Sequence, residues 1–162
     1  MEPKGMSDNF DFGEIARKAK ADAEAAADKR AAENAAKEAA EKERIDRAVA
    51  AIDADVLPLA RRAETAFATE GIAVLIDASK GFSVTGGDVK AVARLEFCCY
   101  DSDDTYPRQS KASSKGLVTF THDGNVLTVT RGTDHSARGV VLRDQESIVR
   151  ELSGALTRFL AA

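Results

Sequence analysis

LVTFTHDGNVLTVTR, residues 117–131, alternates apolar and polar side chains on both sides of Asp123-Gly124, which is the pattern of two antiparallel strands joined by a tight turn. A two-residue turn at Asp123-Gly124 sets the expected register. His122 then faces Asn125, Phe120 faces Leu127 and Val118 faces Val129 on one face, while Thr121 faces Val126 and Thr119 faces Thr128 on the other. The first set belongs to a core. The threonine set faces solvent or a partner.

Outward from this hairpin, Gly132–Arg138 reads as a loop and Gly139–Leu142 as a short extra strand. Asp144 is placed to cap a final helix whose apolar stripe is Ile148, Val149, Leu152, Leu156, Phe159 and Leu160. Neither that stripe nor the apolar face of the hairpin can stay exposed, so Leu152, Leu156 and Phe159 are expected to lie across Val118, Phe120, Leu127 and Val129. On the N-terminal side, Val89–Tyr100 is a long strand with Val89, Ala91, Ala93, Leu95, Phe97 and Cys99 on one face. Ile72–Asp77 is the first strand. Residues 78–88, with glycines at 81, 86 and 87, read as turn material around a short strand at Phe82–Thr85. Asp101–Lys115 reads as a polar, irregular loop.

Before Gly71 the period is helical. Alanine fills 13 of the 25 positions from Ala16 to Ala40, and Glu14/Lys18, Glu33/Lys37, Glu38/Lys42 and Glu43/Arg47 are spaced as i,i+4 ion pairs. Ile45, Val49, Ile52, Val56, Leu59, Ala63 and Ala66 follow in alternating steps of four and three, a coiled-coil-like seam that stops N-terminal to Ile45. At about 1.5 Å per residue such a helix reaches on the order of 70 Å, so it must project, fold back or pair with another chain. Pro58 lacks an N–H and should kink or restart it near residue 57. Met6-Ser7-Asp8-Asn9 reads as a natural start, which leaves Met1–Gly5 as an upstream extension. The resulting expectation is an α+β fold with a long N-terminal helix kinked near Pro58, an antiparallel meander of four to five strands, and a C-terminal amphipathic helix on one sheet face. Its divisions are a disordered leader (1–10), an alanine-rich charged helix (11–57) and a small α+β domain (58–162).

The chain has 162 residues, 44 % hydrophobic and 31 % charged, with a net charge of −4. Residues 11–70 carry 14 acids and 11 bases, and residues 71–162 carry 11 of each. That balance lacks the basic excess of a phosphate-neutralising surface and disfavours nucleic acid as a partner. No apolar run approaches the length of a membrane span, and the start lacks the basic-then-apolar order of a secretory signal, so no membrane partner and a cytoplasmic location are expected. Cys98 and Cys99 are neighbours that a strand points to opposite faces, which reads as two reduced thiols.

Sites for chemistry are sparse. His122 and His135 are the only histidines, each beside an aspartate, and Asp134-His135-Ser136 cannot adopt the geometry of a catalytic relay because its members are consecutive. Asp101, Asp103 and Asp104 lack the glycine and later glutamate of a calcium loop. Gly86-Gly87 precedes a strand where a phosphate cradle needs a helix. No catalytic, metal or cofactor site is therefore assigned. The expected function is a non-enzymatic protein-interaction or scaffolding module, docking on a heterologous protein or forming a homo-oligomer through the long helix. Its interaction residues would be Ile45, Val49, Ile52, Val56 and Leu59, with a small basic patch at Arg108, Lys111 and Lys115. The alternatives are a chaperone-like or adaptor domain that receives an extended client segment on its sheet, and an enzyme whose site is not visible in the sequence.

Overall fold

In the computed structural model, which describes residues 10–82, 88–100, 107–108, 110–133 and 139–162, the alanine-rich segment is one helix, α1 (Phe12–Ala51). Asp11 starts it by accepting the N–H groups of Gly13 and Glu14 on Oδ1 at 2.9 and 3.1 Å. Every residue from Phe12 to Glu43 is exposed. Lys20 meets Glu24, and Glu43 meets Arg47, each at 3.9 Å on that wet surface. Exposed pairs of this kind contribute little, so alanine propensity is the main local support. The chain divides into two compact units between Glu41 and Lys42. Met6 and its neighbours lie outside the described residues.

In the second unit the helix does not simply kink at Pro58. It widens into a π-helical segment, Ile52–Val56, and re-forms as α2 (Leu57–Ala68) with Pro58 in its first turn. The Leu57 N–H donates to the Ile52 carbonyl five residues back, which accommodates a proline that has no N–H of its own to continue the ladder. The widened turn also changes which residues face inward. Ala48, Ile52, Val56 and Ala60 are buried at steps of four, with Val49, Leu57, Leu59, Ala63 and Phe67 packed beside them.

Beyond Gly71 the chain forms β1 (Ile72–Phe82), β2 (Val89–Tyr100), β3 (Pro107–Arg108), α3 (Lys111–Gly116), β4 (Val118–His122), β5 (Leu127–Arg131), β6 (Val140–Leu142) and α4 (Gln145–Leu160). The sheet is antiparallel in the order β1-β2-β4-β5-β6, and β3 adds to the end of β2. Residues 78–82 are strand rather than turn. Pairing runs without a break from Ile72 opposite Cys99 to Phe82 opposite Val89, and cross-strand bonding to β2 overrides the local weakness of Lys80-Gly81. The rest of the expected strand at Phe82–Thr85 lies outside the described residues. Within the stretch expected to be loop, α3 forms because the Ser113 N–H meets Ser110 while the Ser113 hydroxyl accepts from the Ser110 N–H at 3.0 Å.

The hairpin differs from its expected register by two residues. His122 faces Leu127, Phe120 faces Val129 and Val118 faces Arg131, so the loop spans Asp123–Val126. Asp123 is not one of two central turn residues. Its Oδ1 accepts from the N–H groups of Asn125 and Val126, both at 2.8 Å, and closes a four-residue loop in which Gly124 has φ +104°. A shift of two keeps every side chain on its face, so the inward and outward sets survive.

Among the described residues α2, the π-helical segment and α4 pack on one face, while α3 sits beside β2 and reaches Phe97 on that face and Cys98 on the other. Val74, Ala91, Ala93, Leu95, Phe97, Val118, Phe120, Leu127, Val129 and Leu142 of the sheet join Ile148, Leu152, Ala155 and Phe159 of α4 in a single core. Phe97 stands at its centre, with ring centroids 5.8 Å from Phe67 of α2 and 5.9 Å from Phe159 of α4. Gly116 closes α3 against the same point, where an added Cβ would sit 2.8 Å from Phe159 Cβ. Val149 and Leu160, expected in the α4 stripe, are instead 46 % and 63 % exposed. Glu151 takes a buried place and receives Arg131 from β5 in a two-pronged pair at 2.8 and 2.5 Å.

Leu152→Ala should cost about 2 to 5 kcal/mol in denaturant melts, as buried leucine truncations do, while Thr128→Ala on the other face should stay within about 1 kcal/mol. Equal losses would invert the assignment of faces. Arg131 holds the Glu151 carboxyl below its ordinary value of 4.5, against the opposing effect of burial. The unfolded chain therefore binds this proton first, so the pair's stabilisation is complete above that value and is lost as pH falls through and below it. Glu151→Gln should flatten the acid limb of stability against pH, and an unchanged limb would show that other carboxylates govern it.

Candidate functional site

The π-helical segment carries two aspartates that border different recesses of the second unit. Asp55 is on one rim of a cleft of about 630 Å³ built from the β4–β5 loop (Asn125, Val126), β6 (Val141, Leu142) and the start of α4 (Asp144, Gln145, Ile148). His122 lines this cleft from the inward face of β4, beside Leu127 and Leu142 in neighbouring strands. Its Nδ1 accepts the Gly124 N–H at 2.9 Å, so the neutral ring carries its proton on Nε2. Burial pushes the imidazole below its ordinary value, against the opposing charges of Asp123 and Asp55. The loop itself is tied down by Arg44 of α1, whose guanidinium donates to the carbonyls of Asp123 and Val89, the latter at 2.7 Å.

The polar groups around this cleft are already used for folding. Asp123 holds the loop, and Asp144 caps α4 by accepting the Ser147 N–H at 2.8 Å. His122 can donate one hydrogen bond and Asp55 and Arg143 can meet charge, but no serine, threonine, cysteine or lysine is among the described residues that line it. Among the described residues no group of three histidine, cysteine or acidic side chains could hold a metal ion. The geometry is that of a polar recess without a nucleophile–base pair.

The expected interaction residues are dispersed. Ile52 and Val56 are 2 % and 0 % exposed in the chain's own core, so of the options left open for the seam its centre folds back on the sheet. Ile45, Val49 and Leu59 are half-buried. Leu59 lines a groove of about 300 Å³ between α2 and α4 with Phe67, Val149 and Leu152. Arg108 falls in β3 and Lys111 and Lys115 in α3, with Lys115 exposed, and the side chains of Arg108 and Lys111 lie outside the described residues. His135, the cluster Asp101, Asp103 and Asp104, and Gly86-Gly87 are outside the described residues altogether.

A second recess lies on the far side of the sheet. β1 is an outermost strand of eleven residues whose ladder partner among the described residues is β2 alone. Ala78 shares the inward face with buried Ala93 and Phe120, yet is itself exposed. Between Ala78, Ser79, Ala91 and Val92 below and Val49, Ile52 and Asp53 above, a gap of about 190 Å³ remains at the edge of the core. Outside the helix layer, the other face presents Asp77, Arg94, Thr119 and Thr130 in one cross-strand row and Ser79, Val92, Thr121, Thr128 and Val141 in the next. In sequence Ala91 read as ordinary core on the buried face of its strand and Ala78 as turn material, so neither signalled this recess. Cys98 is buried with Sγ 3.8 Å from Ser113 Oγ, and Cys99 is exposed near the end of β2, paired with Ile72 and Arg108.

No helix among the described residues is long and apolar enough to cross a membrane. No family model, curated protein or solved structure matches the chain.

The His122 ring should titrate below 6.5 in the folded chain, with the Gly124 amide moving at the same midpoint because protonation of Nδ1 removes its acceptor. A depressed folded value means that stability is complete above 6.5 and declines as pH falls below it. NMR titration checks this, and a midpoint at or above 6.5 would contradict the burial of the ring.

Proposed function

We propose that the chain is a non-enzymatic protein-binding module that takes up an extended segment of another protein by strand addition to β1. The observation that carries this reading is the edge itself. Eleven residues of β1 bond to β2 on one side, and the order of the sheet gives them no neighbour on the other among the described residues. An outermost strand offers a row of N–H and C=O groups that main-chain pairing can satisfy, and proteins usually shorten or obstruct such edges. The opposite edge follows that rule, since β6 has only three residues. β1 contains no proline and Asp77 is its one acidic residue.

Two further features support an interaction role over catalysis. The inward-facing centre of the predicted helical seam is consumed by the core at Ile52 and Val56, which moves the docking role from helix to sheet. The cleft at His122 offers hydrogen bonds and charge but no reactive pair among its described lining. The two free thiols, Cys98 and Cys99, fit a reducing compartment, in keeping with a cytoplasmic site of action.

Panning the full chain against a library of eleven-residue peptides, followed by hydrogen exchange on the complexes, tests the reading. Enriched peptides should slow exchange of the β1 amides and leave β5 and β6 unchanged, and a charged block on the strand, Leu75→Lys, should weaken them. Peptides that protect other elements and spare β1, or concentration-dependent self-pairing through β1 that excludes every peptide, would overturn it.

A further inference from the structure

We infer that the segment received by β1 presents an aliphatic side chain to the gap between Ala78 and Ile52, and a basic residue two positions away that meets Asp53. This inference rests on the strand-addition reading and specifies its ligand. A strand laid against β1 would run about 4.8 Å away and point alternate side chains to the helix-covered face. The residue directly opposite Ala78 would have its Cβ about 5 Å from Ala78 Cβ on that face. There the gap of about 190 Å³ is open, with Val49, Ile52, Ala78 and Ala91 supplying apolar walls. Ala78 is exposed although it stands at an inward position beside buried Ala93. An aliphatic side chain from the added strand completes the row that Ala93, Phe120 and Val129 begin.

Among the described residues Asp53 is the charged one in the lining of this gap, and it is exposed. It sits in the π-helical segment directly after Ile52, above the same face of the sheet. Side chains two apart on an added strand share that face, so a lysine or arginine beside the aliphatic anchor reaches the Asp53 carboxylate. A segment with an acidic residue there would place like charges together. Asp77 does not supply the same preference, because it projects to the other face beside Arg94. The specificity assigned to the site is therefore an aliphatic residue for volume and a basic residue for charge, on a main-chain ladder that reads neither.

The probes are eleven-residue peptides of threonine and serine with one central leucine and one lysine two positions on, and matched peptides with serine for leucine or glutamate for lysine. Affinity for the full chain is read by fluorescence anisotropy and location by hydrogen exchange. The leucine should improve affinity about ten- to hundredfold, the equivalent of burying one aliphatic side chain. Ala78→Leu, which fills the gap from an exposed position, should abolish that advantage while the serine peptide binds as before. Asp53→Lys should reverse the preference between lysine and glutamate, and the wild-type preference should shrink in high salt. Peptides that protect β1 with affinities indifferent to leucine and lysine would overturn this inference and leave strand addition standing. A set that never protects β1 would overturn both.

Discussion

Phe97 is the contact on which the second unit depends. It projects from the middle of the sheet between Phe67 of α2 and Phe159 of α4, and Gly116 brings α3 to the same ring. Three helices remote in sequence thus meet at one buried side chain. That arrangement places the helix layer asymmetrically: among the described residues α2 and α4 cover the face of Phe97, and α3 reaches the other face only beside Cys98. Glu151 and Arg131 add a polar constraint at the other end of α4, where a carboxylate inside an apolar stripe is satisfied by a strand residue that points inward. The Arg131 side chain is half-exposed while Glu151 is buried, so the pair adds modest net stability and acts chiefly as a constraint on how α4 registers against β5.

The alternation around Asp123 carried the fold class, the antiparallel sheet and the assignment of faces, because face depends only on parity. It could not carry the register. Asp123 is a good central turn residue and an equally good acceptor for two later N–H groups, and the second use prevails with Arg44 anchoring the loop from α1. Alanine was the other source of ambiguity. Ala48 and Ala60 are core residues hidden among many solvated alanines, and the recess is bordered by Ala91, which reads as core by pattern, and Ala78, which reads as turn. α3 escaped notice because a six-residue helix has too little periodicity to see, although the Ser110/Ser113 box was present.

The candidate site was less legible than the fold for a related reason. A seam of apolar residues at heptad spacing says that a helix face is buried, and is silent on whether the cover is another chain or the same one. Here Ile52 and Val56 settle on the chain's own sheet, helped by the π-helical turn that Pro58 demands. The same turn carries Asp53 to the rim of the β1 gap and Asp55 to the rim of the His122 cleft. Widened helical turns often coincide with functional surfaces. Which strand lies outermost emerges only from tertiary pairing, and so the edge had no signature in sequence.

The most direct test of this account is amide hydrogen exchange along Ile72–Phe82 in the isolated full chain. An outermost strand bonded on one side should show alternating protection, with amides that point to β2 slow and those between them fast, while the interior strand β2 is protected throughout its paired length. Uniform, concentration-independent protection of β1 would mean that its outer edge is already satisfied within the chain, and would contradict an open edge as the basis of function.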